Sequence, residues 1–67
     1  MMAENFEIVE RVIVSSVSIS DAIKSAVFGA RKERPVAWFE VIQQRGRVAD
    51  NGDLEYQVTV KVGRKLG

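Results

Sequence analysis

The sequence predicts an α+β fold of order β-α-β-β, with one helix packed on a three-stranded antiparallel sheet. Three observations carry that reading. Asn51-Gly52 stands between two stretches that read as strands, an amphipathic helical pattern precedes the first of them, and a β-branched stretch precedes the helix. A helix joins strands one and two, whereas strands two and three form a hairpin. Strand three is therefore expected in the middle, giving the order 1-3-2 and leaving strand two as an edge.

The first strand is expected over Phe6-Glu7-Ile8-Val9-Glu10-Arg11-Val12-Ile13-Val14, which is rich in β-branched residues and mostly alternating. It stops at Ser15-Ser16. Ser18 or Ser20 then supplies a helix cap. Ile19, Ala22, Ile23, Ala26, Val27 and Ala30 follow at the spacing of one helical face. Arg31, Lys32 and Arg34 lie near the helix C-terminus, where positive charge offsets the dipole, and Pro35 closes the segment.

The second strand is expected over Ala37-Trp38-Phe39-Glu40-Val41-Ile42-Gln43-Gln44-Arg45-Gly46 and the third from Leu54 to Val62. A two-residue type I′ loop at Asn51-Gly52 would set Val41 opposite Val62 and Ile42 opposite Lys61. In that register Tyr56, Val58, Val60, Val62, Phe39 and Val41 share the core face. Glu55, Gln57, Thr59 and Lys61 share the other with Trp38, Glu40, Ile42 and Gln44. Arg45 falls on the mainly apolar face.

At 67 residues the chain has room for one domain, 1–67, and a domain of this size buries only about 60% of the surface its unfolded form exposes. Disulfides, metals or oligomerisation rescue such small cores. The chain has no Cys and no His, which removes disulfides, thiolate or imidazole metal sites and Cys or Ser-His nucleophiles. Oligomerisation is the remedy left. Ten basic and nine acidic residues give a net charge of +1, spread along the chain, so no footprint for nucleic acid or a membrane surface is expected. No apolar run approaches the length of a membrane span, and Met1-Met2-Ala3-Glu4-Asn5 lacks a signal-peptide pattern. A cytoplasmic protein is the expectation.

On the outer face Trp38 is a large indole among polar residues, which calls for a partner chain or a flat ligand. Phe28 lies opposite the apolar helix stripe and reads as a subunit contact, with Gly29 beside it allowing a close approach. The carboxylates Glu40, Glu55 and Asp50 have no spacing that supports acid/base catalysis or a hard-cation site.

Trp38-Phe39-Glu40-Val41, Gln44-Arg45-Gly46 and Tyr56-Gln57-Val58-Thr59-Val60-Lys61-Val62-Gly63 together resemble the dodecin family of small flavin-binding proteins. The likeness is tightest from Ala37 to Gly63. It departs from the usual family pattern at Val14-Ser15-Ser16, where members carry Gly-Thr-Ser, and at Arg64, where they carry an aromatic. The resemblance implies a hollow homo-dodecamer that binds flavins in pairs and stores or sequesters them without enzymatic turnover. FMN is the expected ligand, with riboflavin or FAD as alternatives. By the same resemblance Trp38 stacks on the isoalloxazine ring, Gln57 hydrogen-bonds the ring and packs on its other side, Arg45 lies near the flavin tail, and Lys65 stands where some members carry an arginine that contacts phosphorylated ligands. A close indole also quenches an excited flavin by electron transfer. The competing reading keeps the dodecamer as a structural or interaction module that no longer binds flavin.

The expected register adds a constraint. Gln57 opposite Gly46 would lie eight residues from Trp38, roughly 27 Å along the strand, so the two residues that contact one flavin are expected to come from different protomers.

Overall fold

The computed structural model describes residues 5–66. Residues 1–4, read above as part of a start without a signal-peptide pattern, and residue 67 lie outside them. The elements are β1 (Phe6–Ser15), α1 (Ile19–Arg31), β2 (Val36–Val48) and β3 (Leu54–Lys65). The sheet is antiparallel in the order β1-β3-β2, as the connectivity predicts.

Ser18 is the helix cap: its backbone is extended, and its Oγ accepts a hydrogen bond from the Asp21 N–H at 2.9 Å. Ser15, at the end of β1, fixes the strand-to-helix turn. Its hydroxyl donates to Asp21 Oδ2 at 2.7 Å, and its oxygen accepts from the N–H groups of Val17 at 2.9 Å and Ser18 at 3.4 Å. Ser15 is buried, and its removal would break all three hydrogen bonds of the turn, including the one that holds the Asp21 carboxylate. Ser15→Ala is expected to destabilise the fold by about 1–3 kcal/mol. A lowered melting temperature at fixed protein concentration checks this, and an unchanged one contradicts it.

The core is thin. Ala22, Ala26 and Ala30 of α1 pack on Val58, Val60 and Val62 of β3, all fully buried, with Ile13, Ile19, Ile23 and Val36 against them. The alanines let helix and sheet approach closely, but the helix spans only about 20 Å while β2 runs to about 43 Å. The distal hairpin therefore has no helix over it, and Val48 and Leu54 there are exposed.

The hairpin loop differs from the type I′ turn expected at Asn51-Gly52. Gly52 alone among the described residues has positive φ, at 91°, so Asn51 does not take the left-handed conformation that type I′ demands. Gly52 N–H donates to Ala49 O, and Ala49 N–H donates to Asp53 O, both at 2.8 Å. The loop is thus three residues, Asp50-Asn51-Gly52, with glycine in the left-handed position that closes such loops. Asn51 still contributes, because its Oδ1 accepts from the Asp53 N–H at 3.0 Å.

The loop moves the register. Arg45 pairs with Gln57, Gly46 with Tyr56 and Gln44 with Val58, and irregularities between Val41 and Gln43 and between Val36 and Trp38 shift it further. Val41 therefore faces Val60, not Val62, and Ile42 sits in the bulge without a Cα partner. Arg45 lies on the face away from the helix, and Gln44 lies on the helix face. Both assignments reverse those expected from a two-residue loop, since a one-residue slip exchanges faces.

Arg64 sits on the helix face and is buried. Its Nη1 donates to Ala30 O at 3.2 Å and to Glu33 Oε2 at 3.1 Å, and its Nη2 pairs with Glu7. Burial works against its charge, and the bonds to Glu7 and Glu33 more than offset this, leaving its pKa raised. An arginine at this position thus ties β1, β3 and the helix C-terminus together.

Phe28 is exposed, with the Arg31 guanidinium carbon 4.4 Å from its ring centroid. The close approach at Gly29 comes from within the chain. A Cβ there would meet the Arg11 guanidinium at 3.0 Å.

Candidate ligand-binding face

The face away from the helix is set by register. One row across the sheet holds Val14, Gln57 and Arg45, and another holds Ile8, Gly63 and Trp38. Phe6 and Lys65 form the next row beyond Trp38. Because Trp38 pairs with Gly63, and Gly63 is six residues from Gln57 on β3, the Trp38 and Gln57 rows lie roughly 20 Å apart. This is shorter than the separation of roughly 27 Å expected from a two-residue loop, yet still too long for one ring to touch both.

The Trp38 end is an aromatic platform. The indole lies across Gly63, and the Phe6 ring meets it edge-on, with centroids 6.4 Å apart and planes at 69°. Trp38 remains 38% exposed. One side of the indole thus rests on its own sheet while the rest is open to a stacking partner. Lys65 is at the same end, and its N–H donates to Pro35 O at 2.9 Å, fixing the backbone there.

The Gln57 end is a hollow of about 500 Å³ lined by Val14, Arg45, Gly46, Arg47, Glu55 and Gln57. Arg47 is paired with Glu55, which neutralises it. Arg45 has no ion-pair partner within 4.0 Å among the described residues, so its charge is available to an anion. Gln57 offers both a donor and an acceptor. Four residues singled out in the sequence thus fall into two pairs, Trp38 with Lys65 and Gln57 with Arg45, at opposite ends of one face.

Sequence reasoning missed Phe6, Val14 and Gly63 as parts of this face. Their roles depend on the β1–β3 register and on the indole's resting place, which no local motif encodes. Among the described residues no three Asp, Glu, His or Cys side chains gather as a metal set, and no helix is long and apolar enough to cross a membrane.

An open aromatic seat, an amide, and basic side chains that have no ion-pair partner among the described residues stand on one sheet face, an arrangement that suits a small ligand-binding protein. The family model described as Dodecin matches residues 6–66. The dodecin of Thermus thermophilus is 39% identical over 66 residues, covering 97% of this chain and 96% of that protein. The chain belongs to the dodecin family, whose members are small ligand-binding proteins and not enzymes.

Solved structures agree. A Thermus thermophilus protein superposes with a TM-score of 0.84 at 38% identity, over 97% of each chain. Dodecin from Streptomyces coelicolor does so with a TM-score of 0.85 at 32% identity, over 100% of this chain and 97% of that one. A Mycobacterium tuberculosis protein described as a calcium dodecin shares the fold, with a TM-score of 0.83 at 23% identity over 94% of this chain and 91% of that one.

Proposed function

We propose that this protein binds flavin at sites shared between protomers of a homo-dodecamer, and that it stores or sequesters flavin without turning it over. FMN is the foremost ligand, with riboflavin and FAD as alternatives. Residues 1–67 act as one cytoplasmic domain in this reading. Trp38 stacks on the isoalloxazine ring, Gln57 hydrogen-bonds its pyrimidine edge, and Arg45 and Lys65 attract the phosphorylated tail.

The observation that carries the reading is the division of the face into two half-sites roughly 20 Å apart. Neither half offers both the indole and the Gln57 amide by itself. In a two-fold contact between such faces, the Trp38 end of each protomer would meet the Gln57 end of the other, which yields two sites per contact and accounts for flavins bound in pairs.

The structural reading without flavin drew on the atypical Val14-Ser15-Ser16 and Arg64. Ser15 and Arg64 both belong to the helix-side framework, on the face of the sheet opposite Trp38. Only Val14 of these reaches the hollow beside Gln57. The departures therefore leave the flavin reading largely intact.

A fluorescence titration of FMN beside light scattering tests it. Quenching should saturate near one flavin per protomer in a particle of about twelve 7.5 kDa chains, about 90 kDa. Twelve chains without quenching would favour the structural reading, and a monomer would overturn both.

A further inference from the structure

We propose that Gly63 is the positioning residue for Trp38: its missing side chain is the seat that sets the indole's height and tilt on the sheet. A Cβ built on Gly63 would fall within the indole, 2.5 Å from both Nε1 and Cζ2 and closer still to Cε2. Real Cβ atoms do not approach this near, so any other residue must lift the ring. Backbone conformation offers no competing reason for glycine here. Gly52 is the only described glycine with positive φ, so an L-residue could adopt the Gly63 backbone without strain.

Glycine inside a strand also carries a cost, since it weakens the strand and packs nothing, and it marks places where another group comes close. At Gly63 that group is the indole. The neighbouring Phe6 meets the indole edge-on, limiting its sideways travel. Floor and side wall together hold a ring that is still 38% exposed, so its free surface is presented in one orientation. Pre-setting that orientation lowers the ordering cost of a stacked complex. The geometry stands without any ligand; its consequence for flavin rests on the proposed function.

Gly63→Ala, with Trp38→Ala and the double variant, tests this. Trp38 is the only tryptophan, so intrinsic indole emission reports on this seat alone. In Gly63→Ala the emission should shift to the red as the ring lifts towards water, and FMN affinity should fall by about tenfold. Melting should drop relative to wild type. In the Trp38→Ala background the same glycine change should leave melting unaltered or raise it slightly, because nothing remains to collide with and alanine loses less chain entropy than glycine in a strand.

Unchanged emission together with FMN affinity within about twofold of wild type would overturn the proposal. So would an equal melting loss in both backgrounds. Should Gly63→Ala fail to assemble, the double variant decides: restored assembly supports the seat, and continued failure assigns Gly63 a role independent of the indole. If wild type binds no FMN, the flavin reading fails alone, and the emission and melting comparison still decides the seat.

Discussion

Trp38→Ala is expected to abolish saturable quenching of FMN and to weaken binding by a factor of roughly 100–1000. Stacking of aromatic rings is worth about 0.5–1.5 kcal/mol beyond area burial. The apolar area lost with the indole, on the order of 100 Å², adds about 2.5 kcal/mol. No other side chain on that face compensates, because Phe6 is packed against the indole and the exposed Phe39 lies on the opposite, helix-side face. The fold should survive, since the buried core lies on the opposite face of the sheet. Circular dichroism and light scattering separate loss of the ligand from loss of structure. A variant that still quenches FMN with wild-type affinity would remove Trp38 from the site.

Much of the architecture was legible because local preferences and global fold agree. The β-branched β1, the alanine-rich stripe of α1 and the alternation of β3 each specify one state, and connectivity alone placed β3 in the centre. The cap was narrowed to two serines, and Ser18 takes it.

The register was not legible. Asn-Gly suits a two-residue loop, yet Asp50-Asn51-Gly52 suits equally a three-residue loop with glycine alone in the left-handed region, and the second is what forms. That single residue decides whether Arg45 faces the helix or stands beside Gln57. The two irregularities in β2 have no signature in the sequence either, and the one between Val41 and Gln43 brings Trp38 opposite Gly63. Thus Trp38 and Gln57 could be identified by their motifs, while the pairing of Gln57 with Arg45, and of Trp38 with Gly63 and Phe6, required the folded sheet. Arg64 shows the same limit. Its sequence position reads as a change from an aromatic, whereas its role comes from Ala30, Glu7 and Glu33, which are distant in the chain.

The central claim is that one flavin takes Trp38 from one protomer and Gln57 from another. Each single variant, Trp38→Ala or Gln57→Ala, lacks one half of every site and should bind FMN poorly on its own. Particles reassembled from an equal mixture of the two chains contain contacts in which an intact Trp38 meets an intact Gln57. With random mixing these make up about a quarter of all sites.

The decisive measurement is an FMN titration of such mixed particles, with mass spectrometry verifying that both chains are present. Sites of wild-type affinity returning at about a quarter of the wild-type number is the predicted result. Mixed particles with no wild-type sites would contradict the shared site and place both contacts within a single protomer.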